Sequence, residues 1–209
     1  MNILNLFVLI PLVMLLALWL SRNIKQIRTV MVVGSTMLLA LSVYLTVDFI
    51  AQRSAGVSAA QLYTDTWCWY PALNINYSIG VDGISVVMIL LSSIIVFTGT
   101  FASWNIKPQP KEFFLWYMLL SLGVYGFFIT TDMFAMFMFY ETALIPMYLL
   151  IGVWGSGKKE YSAMKLTLML MGGSAFLLMG ILGIYFGSGA TTMNILEIAE
   201  MGNIPVNIQ

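Results

Sequence analysis

Six long apolar stretches constrain the fold of this chain more than any other feature of its sequence. A helix needs roughly 20 apolar residues to cross a hydrocarbon core about 30 Å thick. The sequence therefore predicts an all-α fold, a polytopic transmembrane helix bundle of about six helices that forms a single membrane domain over residues 1–209. The predicted spans cover about residues 3–21, 30–50, 84–104, 113–131, 133–154 and 163–187.

The composition excludes several kinds of site. Hydrophobic residues make up 60% of the chain and charged residues 9%, whereas a soluble domain is about half apolar and about a quarter charged. With no histidine and the single cysteine Cys68, the chain cannot by itself build a His-ligated metal site, an iron–sulfur cluster, a disulfide or a Ser-His-Asp triad. We expect Cys68 to be a small apolar packing residue, and the zero net charge gives no sign of a nucleic-acid partner.

The positions of the basic residues predict the orientation of the bundle. Because short cytoplasmic loops are enriched in Lys and Arg, the N-terminus, the 51–83 segment and the tail are expected outside, and only Arg53 lies on that side. The first stretch is expected to be a retained span, since no basic residue precedes it. The remaining basic residues fall on the other side: Arg22, Lys25, Arg28, Lys107, Lys111, Lys158, Lys159 and Lys165.

Two segments outside the spans are expected to lie on the outer surface. The 51–83 segment carries Trp67 and Trp69, and tryptophan favours the headgroup layer. In the tail, Asn194 and Glu197 fit a helix cap and Gly202 fits a helix stop, which predicts a short helix over about 195–201.

Glu141 is the residue that says most about function. It lies about nine residues into the fifth stretch with apolar residues on both sides, so we expect it near the middle of the membrane. A charge at that depth costs about 2.5–3.5 kcal/mol on the insertion scale for Asp, Lys and Arg, and such residues mark ion or proton paths. Glu141 is therefore a candidate proton relay; the alternative is a neutral glutamic acid that only ties helices together.

Pro146 follows in the same stretch and removes the helical hydrogen bond to the carbonyl of Thr142. In lipid, the freed carbonyl must find a water or a side chain. A proline next to an acid thus predicts a hydrated pocket, and helix packing alone is the alternative explanation.

Three further charged residues are candidates. Lys165 lies about one turn inside the sixth stretch, at a depth about 13 Å from Glu141, so it is either a snorkelling anchor or the point where a proton enters and is coupled to Glu141 through water. Asp132 precedes the fifth stretch and is expected to cap that helix. Asp82 precedes the third stretch, where a cap and a functional role remain open.

Three segments of the sequence together carry a resemblance to a known family. The first is Glu141-Thr-Ala-Leu-Ile-Pro146-Met-Tyr-Leu-Leu-Ile-Gly-Val-Trp154-Gly155, the second is Gly80-Val81-Asp82-Gly83-Ile84-Ser85, and the third is Tyr161-Ser-Ala-Met-Lys165 followed by Gly173-Ser174. In that order they resemble the fifth helix, the segment that enters the third helix, and the sixth helix of one family. This family is the antiporter-like membrane subunits called chain M in bacterial respiratory complex I (NADH:quinone oxidoreductase) and chain 4 in mitochondria.

The resemblance implies that this chain is the N-terminal portion of a fold of about fourteen helices built from two inverted repeats. Glu141 would match the family's essential glutamate, which pairs with a lysine on the seventh helix and helps to drive proton transfer during quinone reduction. No counterpart of that lysine is present here, and we expect a fragment of a longer subunit rather than a split or degenerate one.

The resemblance also implies the setting. NADH, FMN, iron–sulfur clusters and quinone are expected in partner subunits, with no cofactor in this chain, which would be a non-redox subunit of the enzyme. Its partners would be other membrane-arm subunits, including neighbouring antiporter-like chains, together with lipid, in the bacterial inner membrane. Two alternatives remain: a subunit of a multi-subunit sodium/proton antiporter, and a membrane scaffold that transports nothing.

Overall fold

The predicted helix bundle is confirmed by a computed structural model, which describes residues 2–57, 59–70, 75–187 and 192–201. Among these residues, six helices are long and apolar enough to cross a membrane. The first is preceded by a 3-10 turn at Ile3–Asn5. The helices are α1 (Leu6–Leu20), α2 (Ile24–Ser54), α3 (Gly83–Ala102), α4 (Pro110–Ile129), α5 (Met133–Trp154) and α6 (Lys159–Gly187).

Two helices begin earlier than hydrophobicity alone predicts. The structure starts α2 at Ile24 rather than at residue 30, and α6 at Lys159 rather than at residue 163. At the start of α2, the side-chain Oε1 of Gln26 accepts the backbone N–H groups of Arg22 and Asn23 at 3.3 and 3.4 Å. Capping chemistry, which can lie outside the apolar stretch, therefore sets the start of α2.

The links α1–α2, α3–α4 and α5–α6 meet at one end of the bundle, which we call the basic end. The Lys111 ammonium donates to the carbonyls of Trp19 and Ser21 at 2.7 and 2.8 Å, so it satisfies carbonyls that α1 leaves open at its C-terminus. The indole of Trp154 donates to the carbonyl of Pro108 at 2.7 Å. These bonds tie the start of α4 to the end of α1, and the end of α5 to the α3–α4 link.

The centre of the bundle is α4, which packs against α1, α3 and α5. Its Tyr125 is fully buried, with its ring centroid 5.6 Å from that of Phe7 in α1. The Tyr125 hydroxyl lies 3.0 Å from the hydroxyl of Ser93 in α3. One side chain therefore joins three helices and keeps its polar atom bonded.

A β-hairpin, which was not predicted, lies at the opposite end of the bundle, which we call the hairpin end. Strand β1 (Leu62–Tyr70) pairs with β2 (Ile75–Val81) in antiparallel fashion, with Trp67 opposite Tyr77. Trp67 and Trp69 are 79% and 62% exposed. Cys68 between them is also exposed, so the prediction that it packs as an apolar filler is wrong, because it lines an open cavity of about 520 Å³ between the hairpin and α5.

The predicted short helix in the tail is confirmed as α7 (Ile195–Met201). The Asn194 side-chain oxygen accepts the N–H of Leu196 at 3.0 Å. Ile198 packs with Met133 at the start of α5 and Ile181 in α6. The helix stop predicted at Gly202 lies outside the described residues.

A close approach of α4 and α5 yields a test of this packing. A Cβ atom at Gly123 would lie 2.9 Å from the Cβ of Ala143 and 3.0 Å from the backbone oxygen of Phe139. Because a backbone atom cannot move aside, we expect Gly123→Ala to lower the free energy of unfolding by about 1–3 kcal/mol. Equilibrium unfolding in mixed detergent micelles, followed by circular dichroism, measures this. The matched control is Gly183→Ala in α6, where nothing lies within 4 Å of the added atom; equal stability of the two variants would contradict the packing.

Candidate functional site

Glu141 is the ninth residue of α5 and lies within its apolar length. The side chain as a whole is half-buried, yet its Oε1 atom is fully buried and has no hydrogen-bond partner among the described residues. At 1.5 Å per residue, Glu141 is about 12 Å from the hairpin end of α5 and about 20 Å from its basic end. A buried carboxyl oxygen without a partner is costly in a protein interior, so this atom requires a bonding group that the described chain does not supply.

A groove of about 410 Å³ lies beside Glu141, between α5 and α6. One water occupies about 30 Å³ in the liquid, so the groove has room for several. The polar groups of Glu141 and of three other side chains give such waters partners. The lining residues are Met138, Glu141, Thr142, Leu144, Ile145, Tyr148, Thr167 and Met171.

Pro146 lies inside α5 and is buried. Because proline has no N–H, it leaves the Thr142 carbonyl without its usual helical donor. The Thr142 hydroxyl is already committed, since it donates to the carbonyl of Met138 at 2.8 Å. The groove therefore adjoins a second under-bonded acceptor, one residue from Glu141, and this arrangement agrees with the hydrated pocket that the sequence predicts.

Lys165 is not brought to the site. It is exposed, and it does not line the groove, whereas Thr167 two residues later does. Two residues along a helix turn by about 200°, so the two side chains leave nearly opposite faces of α6. Because α6 begins at Lys159, Lys165 lies about 9 Å along the helix, deeper than the single turn expected, and its depth differs from that of Glu141 by about 11 Å rather than about 13 Å.

Asp132 occupies a buried junction at the hairpin end, between the α4–α5 turn, β2 and the residues before α7. It is fully buried, and its Oδ1 accepts the N–H groups of Phe134 and Ala135 at 2.9 and 3.0 Å. Its Oδ2 lies 3.3 Å from the N–H of Asn76 in β2. The predicted cap of α5 is thus confirmed, and one carboxylate joins that cap to the hairpin.

Burial raises the pKa of Asp132 above its ordinary value of 3.8, and the hydrogen bonds from Ala135, Asn76 and Phe134 oppose that rise. The backbone around it completes the junction. The Ser78 carbonyl accepts the N–H of Thr131 at 2.9 Å and the hydroxyl of Thr130 at 3.0 Å. The junction therefore fixes where α5 starts, and with it the depth of Glu141.

Asp82 proves to be a cap as well. Its Oδ1 accepts the N–H of Ser85 at 2.8 Å, in the first turn of α3. The structure gives it no contact with the groove beside Glu141.

Sequence reasoning missed two polar residues of the groove, Tyr148 and Thr167. Tyr148 lies seven residues after Glu141, a spacing that returns to the same helix face, so this residue could have been found. Thr167 sits on another helix, and nothing in the sequence distinguishes it from the other hydroxyls of the spans. Only the packing of α5 against α6 brings it to the site.

Comparison with known proteins identifies similar chains. Residues 130–208 match the family described as NADH:quinone oxidoreductase/Mrp antiporter, transmembrane. The NAD(P)H-quinone oxidoreductase chain 4-2 of Synechocystis is 34% identical over 134 residues, which are 64% of this chain and 24% of that protein. This chain spans about a quarter of the length of that curated relative.

Two solved structures share the fold. A chain of respiratory complex I from Thermus thermophilus superposes with a TM-score of 0.79 at 22% identity, over 95% of this chain and 39% of that one. A chain of the Mrp complex from Dietzia gives a TM-score of 0.69 at 17% identity, over 94% of this chain and 20% of that one. At these identities the likeness concerns the fold.

The raised pKa of Asp132 generates a test of the junction. The folded chain binds this proton more tightly than the unfolded chain, so Asp132 lowers stability as pH rises from about 3.8 through the raised value. Asp132→Asn keeps an acceptor for the helix N–H groups but cannot ionise. We expect the free energy of unfolding of the wild type to fall more steeply over that pH range than that of the variant.

Thermal unfolding in detergent at a series of pH values measures both profiles. Asp132→Ala, which also removes the cap, is expected to lose about 1–2 kcal/mol. Glu112→Gln changes an exposed acid and serves as the control. Identical pH profiles for the wild type and Asp132→Asn would contradict the assignment.

Proposed function

We propose a function from the family to which this chain belongs, the antiporter-like membrane subunits of NADH:quinone oxidoreductase and Mrp complexes. The chain is the N-terminal part of a proton-translocating membrane-arm subunit of NADH:quinone oxidoreductase. It couples quinone reduction elsewhere in the enzyme to proton movement through Glu141. The observation that carries the proposal is the buried Oε1 of Glu141, which has no partner among the described residues.

The chemistry of that oxygen supports a relay. A protonated carboxyl can stay at this depth, whereas an ionised one needs water or a cation beside it. A cation that approaches therefore favours release of the proton, and its departure favours uptake. The groove lined by Glu141, Thr142 and Thr167 has room for waters, which would provide the route by which the proton arrives or leaves.

The cation itself must come from outside the described residues. Lys165 leaves the face of α6 opposite Thr167, and no ion pair to Glu141 is found in the part of the chain that the structure describes. The two helices that border the groove beside Glu141, α5 and α6, are also the least buried of the six. In an apolar stretch of 18 residues, 17% of α5 and 11% of α6 are buried, against 50% of α4. This open face leaves room for further helices. Lys165 then serves as a membrane anchor or as the point where a proton enters.

The setting follows from the same proposal. This chain is a non-redox subunit with no cofactor of its own, and NADH, FMN, iron–sulfur clusters and quinone are bound by partner subunits, among them neighbouring antiporter-like chains. It lies in a bacterial inner membrane with its basic end in the cytoplasm and its N-terminus outside. The clustering of basic residues at one end of the bundle supports this orientation.

A second candidate is a subunit of a multi-subunit sodium/proton antiporter. It is favoured by the likeness to a chain of the Mrp complex and by the joint family description. A scaffold that transports nothing is a third, in which Glu141 is only a hydrogen-bonding residue. The two experiments below separate these functions.

Replacement of Glu141 tests the relay. Glu141→Gln nearly keeps the shape of the side chain but removes its ionisable proton. We therefore expect coupled proton pumping to fall about 100-fold or more, because a proton-transfer group typically contributes about 10²–10⁴-fold, while the complex still assembles. A pH-sensitive dye in vesicles that contain the assembled complex measures pumping, and native gels measure assembly. Glu160→Gln, an exposed acid in the first turn of α6, is the matched control. Wild-type pumping by an assembled Glu141→Gln complex would overturn the assignment of Glu141 as a proton relay.

Mass spectrometry of the intact membrane complex that contains this chain tests the partners. We expect to find chains of an NADH-oxidising module with bound FMN, because only the first candidate function requires them. Co-purification with other antiporter-like chains but no such module would favour the sodium/proton antiporter. The mass of the subunit that carries these residues will show whether the helices opposite Glu141 belong to the same polypeptide.

A further inference from the structure

An apolar groove of about 760 Å³ runs along the outside of the bundle between α1 and α2. At its floor, the Met14 side chain packs directly against Gly34, where an added Cβ would clash with the Met14 sulfur. The contact closes the groove toward the bundle, so the groove opens toward the surrounding membrane. Its lining consists of Leu6, Leu9, Ile10, Val13, Met14, Ala17, Thr29, Val30, Val33, Gly34, Met37, Ala40 and Leu41.

A second cavity, which we call the basic recess, lies next to the groove at the basic end. It measures about 460 Å³ and is lined by Lys25, Arg28, Thr29, Val32, Val33 and Trp104. Thr29 and Val33 line both cavities. The two cavities therefore lie side by side along α2 and share one wall, with the apolar groove on one side of it and the cationic recess on the other.

The two cations of the recess differ in their contacts, since Arg28 is bound to Trp104 and Lys25 is exposed to its surroundings. The Arg28 guanidinium donates to the Trp104 carbonyl at 2.7 Å and lies 4.8 Å from the centre of the Trp104 ring, so its position is fixed and other N–H groups stay available. Lys25 is exposed. Among the described residues that line the two cavities there is no acid, and the positive charge of the recess is left without a protein anion there.

The length of the site matches one leaflet of a bilayer. From Thr29 to Leu41 the groove follows α2 for about 18 Å at 1.5 Å per residue. The hydrocarbon of one leaflet is about half of roughly 30 Å. A fatty acyl chain that begins beside Thr29, one turn inside Lys25, would thus extend along most of the groove toward Leu41.

We propose that the α1–α2 groove and the basic recess together bind one anionic glycerophospholipid. An acyl chain lies in the groove, and the phosphate group contacts Lys25 and Arg28, with Trp104 at the level of the headgroup. Basic pockets between transmembrane helices bind such headgroups. A lipid fits better than a further helix, because it supplies the negative charge that the recess lacks as well as the apolar chain that the groove accepts. This proposal does not depend on the role of Glu141.

Native mass spectrometry of the complex that contains this chain tests the charge at the recess. The delipidated complex is titrated with dioleoylphosphatidylglycerol and, separately, with dioleoylphosphatidylcholine. We expect tighter binding of the anionic lipid, and an about five-fold loss of that binding in Lys25→Gln, the change expected for one surface cation. Lys158→Gln removes an exposed cation at the same end of the bundle but outside the recess, and it is expected to leave binding unchanged. Equal affinity for the two lipids, or equal losses in the two variants, overturns the proposal.

A second pair of measurements tests the groove. Ala40→Trp fills the membrane side, where Ala40 is exposed, and is expected to weaken phosphatidylglycerol binding at least five-fold while the complex stays assembled. Soluble glycerophosphate at the same concentration is expected not to displace the lipid. Displacement by glycerophosphate, or full binding to Ala40→Trp, would mean that the acyl chain contributes nothing and would overturn the groove assignment.

A cysteine at residue 33 separates a lipid from a polypeptide occupant. In a Cys68→Ser background, Val33→Cys is expected to react with a membrane-permeant maleimide after delipidation and to be protected when phosphatidylglycerol is restored. Protection that persists in the delipidated complex would show that another helix covers the groove, and the lipid proposal would then be wrong.

Discussion

The constraint on which the rest of this structure depends is the need to bond every polar group that enters the hydrocarbon. The helices meet this need for the backbone, and hydroxyl groups within the spans meet it by donating to carbonyls of the preceding turn. Examples are Ser42, Thr46, Ser93, Thr100, Ser121 and Thr142. Because so few polar atoms are left over, each exception carries information. The Glu141 Oε1 atom is such an exception, and it lies where the Thr142 carbonyl has also lost its donor to Pro146.

The position of the Glu141 carboxyl group is set by contacts at the start of α5, about 12 Å away. The α5 helix starts where Asp132 caps it, and the same carboxylate reaches β2 through Asn76. The Ser78 carbonyl adds two further bonds to the turn. Since α5 is a continuous helix from that point, the junction determines both the depth and the rotation of Glu141. The hairpin, which contributes nothing to the groove beside Glu141 itself, therefore takes part in placing it.

Features set by the bilayer thickness or by neighbouring residues in the chain could be predicted from the sequence, whereas features set by contacts between distant segments could not. The spans were found because a bilayer sets their length, and the caps at Asp132 and Asp82 because they act within one helical turn. The hairpin was missed although Tyr77, Ile79 and Val81 alternate in the manner of a strand. The two tryptophans of β1, Trp67 and Trp69, favoured a segment in the headgroup layer instead. Thr167 was beyond reach for a different reason. Its role depends on how two helices pack, and a uniformly apolar sequence does not show which helix faces are in contact.

Two faces of the bundle remain open, and their chemistry assigns them different occupants. The face of α5 and α6 contains a buried carboxyl oxygen, which an acyl chain cannot satisfy, so it requires a polar or cationic group carried there by protein, with water. The α1–α2 groove contains no such atom among its described lining residues, and an acyl chain meets its needs completely. The charged groups beside this groove lie at the membrane surface, where Lys25 and Arg28 in the basic recess attract an anion. A face with a buried polar group within the hydrocarbon thus requires protein, whereas a face with charged groups only at the edge of the hydrocarbon accepts a lipid.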